Sequence, residues 1–221
     1  MAGLLIFDCD STLSTIEGVD ELARIKGPDV YEAVERMTTE AMEGKIPVEE
    51  IFRRRLDLIQ PSSADVAAVG KMYCETVVPG VVSTLGELMG EAGWQVVILS
   101  GGFRQAIRPL AEFLGVNRVE AVDLYFGEKG TYQGFAEDYP TTRSGGKPEV
   151  VRKLRQEWEQ CPSPWVMIGD GVSDLETRGE VDAFIGFGGV VSRPKVEAGA
   201  DRFLTDFSQI PAALKALFPE A

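Results

Sequence analysis

The chain has 221 residues, 22 of them basic and 35 acidic, for a net charge of −13; 44% are hydrophobic and none is histidine. That length holds one large domain or a core with a smaller insert, and the composition is that of a globular protein. The acidic balance argues against a nucleic-acid or anionic-membrane partner, and the absence of histidine excludes Ser-His-Asp catalysis, Cys-His catalysis and His-ligated zinc.

The N-terminus runs into an apolar segment, Leu4–Phe7, with no basic stretch ahead of it, so it does not read as a signal peptide. No apolar run nears the roughly 18 residues of a membrane span. Leu4–Phe7 reads as a strand buried on both faces, and Asp8-Cys9-Asp10-Ser11-Thr12 follows it. In extended chain, residues two apart point the same way, so Asp8 and Asp10 can face one site while Cys9 faces away. A carboxylate pair at a buried strand end costs free energy unless a cation or a proton compensates it.

Residues 17–26, 29–43, 48–59 and 62–77 read as four consecutive helices with no strand between them. An all-helical stretch directly after a first strand implies an inserted cap. Within Val48–Ile59, Ile51, Phe52 and Ile59 share an apolar stripe with Val48, and Arg55 falls in its middle. Such an arginine either pairs internally or serves a ligand.

Further along, short apolar runs at 96–99, 166–168 and Ala183–Phe187 alternate with helical patterns near 80–92, 104–115 and 147–160. This alternation predicts a Rossmann-like parallel α/β sheet flanked by helices, with ligands beyond the carboxyl ends of its strands. Residues 122–126 and 131–135, joined by Gly127-Glu128-Lys129-Gly130, read as a β-hairpin. The domain expectation is a core of 1–14 and 78–221 with a helical cap of 15–77.

Three further motifs carry chemistry, two of them at the ends of these runs. Ser100-Gly101-Gly102 is expected between a strand and a helix, where a hydroxyl and backbone N–H groups suit an anion. Lys147 lies before Pro148, expected as the first helical residue, and a cation there opposes the helix dipole by about 0.3–1 kcal/mol. That placement favours a lysine aimed at an anion. Ile168-Gly169-Asp170-Gly171-Val172-Ser173-Asp174 brings two more carboxylates, giving a hard-oxygen environment suited to magnesium. The three cysteines, Cys9, Cys74 and Cys161, form no CxxC motif and point to a reducing, cytoplasmic setting.

The order DxDST, SGG, helix-start Lys and GDGxxD is similar to the four-motif pattern of the haloacid dehalogenase superfamily of phosphatases. Residues 17–23, 42–45, 55–61, 183–189 and 204–207 resemble its phosphoserine phosphatase family, with similarity from about residue 4 to 215. The resemblance implies Asp8 as the nucleophile that carries the phosphoryl group and Asp10 as acid, then base. It implies magnesium on Asp8, the Asp10 carbonyl and Asp170, with Asp174 orienting that shell. Ser100, Gly101, Gly102, Lys147 and Ser173 would contact phosphoryl oxygens. Arg55 would take the substrate carboxylate, Glu17 its ammonium, and Met42 would line the pocket.

The chain departs from the family pattern at Ser173, where many members carry Asn, and at Val48, where members often carry Phe. The expected partner is a small phosphoester, acting on a monomer or homodimer. The alternatives are the same chemistry on another small phosphoester, phosphotransfer to an acceptor alcohol, or a phosphoacceptor signalling module. The last lacks an acid two residues after its aspartate and carries no helical cap.

Overall fold

The computed structural model describes residues 3–42, 48–90, 92–158 and 160–219, without side chains at 39–42, 48 and 49. Met42 and Val48 therefore have described backbone, while their side chains lie outside the described residues.

A six-stranded parallel sheet forms the core. In chain order its strands are β1 (Leu4–Phe7), β2 (Gln95–Phe103), β3 (Arg118–Val122), β6 (Trp165–Gly169), β7 (Ala183–Phe187) and β8 (Arg202–Leu204). In space they lie β3-β2-β1-β6-β7-β8, so β1 is central, pairing β2 through Leu4–Gln95 and β6 through Leu4–Trp165. Leu4, Leu5, Ile6 and Phe7 have no exposed surface. Leu5 and Phe7 join one apolar cluster and Leu4 and Ile6 the other, so alternation along one strand feeds both faces. The helices α5 (Val81–Gly90), α6 (Arg104–Leu114), α7 (Gly146–Glu157), α8 (Val172–Leu175), α9 (Pro194–Gly199) and α10 (Ile210–Leu217) complete the core.

Four helices follow β1 without an intervening strand: α1 (Gly18–Lys26), α2 (Pro28–Met42), α3 (Val48–Ile59) and α4 (Ser63–Glu75). Where the chain leaves for these helices and returns, Ser14 and Val77 form an antiparallel bridge, and Thr15 N–H donates to the Thr76 carbonyl at 2.9 Å. α4 starts on a reciprocal cap: Ser62 Oγ accepts from Asp65 N–H, and the Asp65 carboxylate accepts from Ser62 N–H. Gly70 then lets α4 lie on α6; a Cβ there would stand 3.1 Å from the Ala106 carbonyl oxygen.

Several boundaries differ from expectation. Strands β3 and β8 are absent from the sequence reading because these edge strands lack a continuous apolar run: β3 reads Arg-Val-Glu-Ala-Val, with Glu120 buried beside its apolar neighbours, and β8 reads Arg-Phe-Leu and is only partly buried. The hairpin consists of β4 (Leu124–Phe126) and β5 (Tyr132–Phe135), and Val122 belongs to β3 instead. Ser100–Gly102 lies within β2, not beyond it, at a slip in register with β3 between Leu99 and Phe103. Pro148 is the third residue of α7, which opens at Gly146 after Gly145 in the left-handed region (φ 70°). The turn over 140–142 takes the place of a side chain at Gly146, where a Cβ would fall 1.8 Å from the Pro140 carbonyl oxygen.

Candidate active site

A cavity of about 650 Å³ opens beyond the carboxyl ends of β1, β2 and β6. Its floor and walls carry Asp8, Asp10, Gly101, Gly102, Lys147, Asp170 and Ser173. Glu17 reaches it from the start of α1 and Arg55 from α3. All the charged residues singled out in the sequence thus converge on this cavity, except Asp174, which lies just beneath it.

The floor sets a buried cation among several carboxylates. Lys147 is 5% exposed, and its Nζ lies 2.5 Å from Asp174 Oδ1 and 2.9 Å from Asp8 Oδ1. Burial alone would push this ammonium down; Asp174 and Asp8 more than reverse that and hold it charged. Asp8 Oδ1 also accepts from Cys9 N–H at 2.8 Å. Asp174 Oδ2 accepts from Gly171 N–H at 2.9 Å, which fixes the turn into α8. Cys9 itself packs in the core, as the two-residue alternation requires.

Asp10 is bound differently. Its Oδ1 accepts from Gly18 N–H at 2.8 Å and from Tyr73 Oη at 2.5 Å, while Oδ2 faces Ser100 Oγ at 3.4 Å. Burial, then the charge of Asp8, pushes its carboxyl up to about 6. A group balanced near there can hold a proton and give it up close to neutral pH.

Asp8, Asp170 and Asp174 each place a carboxylate oxygen within 4.8 Å of the others, and all three are buried. A hard, all-oxygen donor set of this charge fits a small divalent cation. Burial and the neighbouring Asp8 push Asp170 up to about 6, against the pull of Arg193, which is hydrogen-bonded to Asp170 Oδ2. Thr12 Oγ1 donates to the other oxygen at 3.3 Å.

On the roof, Glu17 accepts from Ser11 Oγ at 2.6 Å. It opens onto the cavity; loss of bulk solvent around it, then Asp10, pushes its carboxyl up to about 8. Arg55 is half-buried between buried Phe52 and Leu56, whereas Arg53 and Arg54 are exposed and paired with Glu137 and Glu50. Burial pushes Arg55 down, against Asp20 and Glu17. Among the described residues, Arg55 Nε and Thr141 Oγ1 are the buried side-chain polar atoms with no hydrogen-bond partner. Both belong to residues that line this cavity.

Tyr73, Thr141 and Arg193 escaped the sequence reading. Tyr73 and Thr141 sit in segments with no motif. Arg193 is a single basic residue before Pro194, and only the return of the chain after β7 brings it to Asp170.

A profile described as haloacid dehalogenase-like hydrolase matches residues 5–177. The phosphoserine phosphatase of Bos taurus is 39% identical over 216 residues, covering 97% of this chain and 94% of its own. The chloroplastic phosphoserine phosphatase of Arabidopsis thaliana is 39% identical over 208 residues, covering 92% of this chain and 69% of its own. A solved substrate-bound phosphoserine phosphatase complex superposes with a TM-score of 0.79 at 27% identity, covering 96% of this chain and 98% of its own. The chain therefore belongs to the haloacid dehalogenase-like hydrolases and, within them, to the phosphoserine phosphatase family. Its fold is that of capped phosphatases of this class. Among the described residues, no helix is long and apolar enough to cross a membrane.

Proposed function

We propose that the chain hydrolyses O-phosphoserine to serine and phosphate through a phosphoryl group carried on Asp8. The observation that carries this reading is Arg55, which lines the same cavity as Asp8 and Asp10 and keeps a buried Nε without a hydrogen-bond partner. A guanidinium with an open donor above a phosphotransfer floor suits a small ester bearing a carboxylate. Glu17 is the group for the substrate ammonium, whose arrival would offset the crowding of Glu17 by Asp10.

In the first step an Asp8 oxygen bonds to phosphorus and the ester P–O bond breaks. Asp10 gives its proton to the departing serine oxygen. In the second, water bonds to phosphorus, Asp10 takes its proton, and the bond to Asp8 breaks to release phosphate. Ser100, Gly101, Gly102, Ser173 and Lys147 hold the phosphoryl oxygens; the slip in β2 that turns Ser100–Gly102 from regular pairing supports this placement. Magnesium, held by Asp8, Asp170 and the Asp10 carbonyl, would compensate the negative charge gathered there. Asp174 is already committed to Lys147 and Gly171 and would orient that set. Residues 15–77 act as the cap, with the Ser14–Val77 bridge as its hinge line.

Phosphate release from a substrate panel, with and without magnesium, tests this. Phosphoserine should show the highest specificity constant, and chelation should stop turnover. The reading fails if phosphoserine has no advantage over phosphothreonine and p-nitrophenyl phosphate.

A further inference from the structure

Tyr73 has no exposed surface, and its hydroxyl donates to Asp10 Oδ1 from α4, one of the four inserted helices. Gly18 N–H occupies the same oxygen. With two donors on Oδ1, only Oδ2, with a long contact to Ser100, is left to carry a proton toward the cavity. The seat is shaped around that hydroxyl: a Cβ at Gly18 would stand 2.1 Å from the Tyr73 oxygen. Three residues earlier, on the same helical face, Gly70 presses α4 against α6. The tyrosine therefore projects from a helix that is anchored on the core.

We propose that Tyr73 is a positioning residue for the general acid, holding Asp10 Oδ1 so that Oδ2 delivers the proton to the leaving oxygen. The proposal rests on the role of Asp10 given above. As the Asp8–phosphorus bond forms and the ester P–O bond breaks, the proton on Asp10 Oδ2 moves to the departing alkoxide. Tyr73 keeps its own proton throughout.

The choice of leaving group separates this role from a structural one. The specificity constant reports only steps up to departure of the alcohol, and so isolates Asp10 as acid from Asp10 as base. Serine and ethanol leave as poor alkoxides that need the proton; p-nitrophenolate leaves without it. Tyr73→Phe should lower kcat/KM about 10-fold on phosphoserine and ethyl phosphate, a part of the 10²–10⁴-fold such an acid supplies, and less than about 2-fold on p-nitrophenyl phosphate. Gly18→Ala, which drives the hydroxyl off Asp10 without removing it, should show the same pattern. Equal losses on all three esters, or none on the alkyl esters, would overturn the proposal. If the wild-type enzyme does not prefer phosphoserine, the substrate reading fails, while ethyl phosphate against p-nitrophenyl phosphate still decides the role of Tyr73.

Discussion

The floor and the roof of the cavity differ in how far their side chains are hydrogen-bonded. On the floor, Lys147 bridges Asp8 and Asp174, and Asp170 is shared between Thr12 and Arg193. Little there is left without a partner. On the roof, Arg55 keeps a buried nitrogen without a hydrogen-bond partner among the described residues, and the Ser11 hydroxyl and the charge of Arg55 stand against the burial and the Asp10 charge that act on Glu17. A floor of paired side chains that still carries surplus negative charge suits a cation and the chemistry common to every phosphate monoester. The roof, where Arg55 faces the charges of Asp20 and Glu17 but keeps an unmade hydrogen bond, suits recognition, because such a donor gains most when a substrate of matching charge arrives.

The strongest way to break the comparison is to unbalance the floor. Lys147→Met should leave Asp8 and Asp174 buried without their cation, at a cost of about 3–5 kcal/mol seen in chemical denaturation. Phosphate release should fall by about 100-fold or more. A variant that melts and turns over like the wild type would mean that the floor does not depend on this pairing.

A smaller and more selective effect is expected on the roof. Arg55→Ala should lower kcat/KM for phosphoserine about 10- to 100-fold, the scale of a lost charge-assisted hydrogen bond. On p-nitrophenyl phosphate, which has no carboxylate, the change should stay within about 2-fold. Equal losses on both substrates would make Arg55 a packing residue and erase the contrast.

The smallest effect tests the wall between them. Thr141→Val removes a buried hydroxyl that has no partner while keeping the side chain's shape. Stability should rise by about 1 kcal/mol in denaturant titration, since an unmet polar group costs more than a methyl in its place. A loss of stability would show that the hydroxyl is satisfied.

Much of the site was legible because its chemistry is written on neighbouring residues. Asp8 and Asp10 need only the two-residue alternation of an extended chain to face one cavity while Cys9 enters the core. Asp170 and Asp174 follow a buried apolar run, and the placement of Arg55 follows from 3.6-residue periodicity. The boundary at Ser100–Gly102 was misplaced because a bulge depends on pairing with a second strand, which the segment itself does not encode. Strands β3 and β8 were missed for a related reason: edge strands carry polar residues that periodicity assigns to loops.

By itself, then, the sequence determined the alternating α/β plan, the helical insert and the acidic strand ends, since each is set by local spacing and burial pattern. Only the tertiary structure decided which partners those residues meet. Tyr73 reaches Asp10 across 63 positions and Lys147 reaches Asp174 across 27, contacts made by packing helices on a sheet. The charge state of a buried carboxyl depends on such neighbours and on how much water they exclude, so the tuning of Asp10 belongs to the fold rather than to its motif.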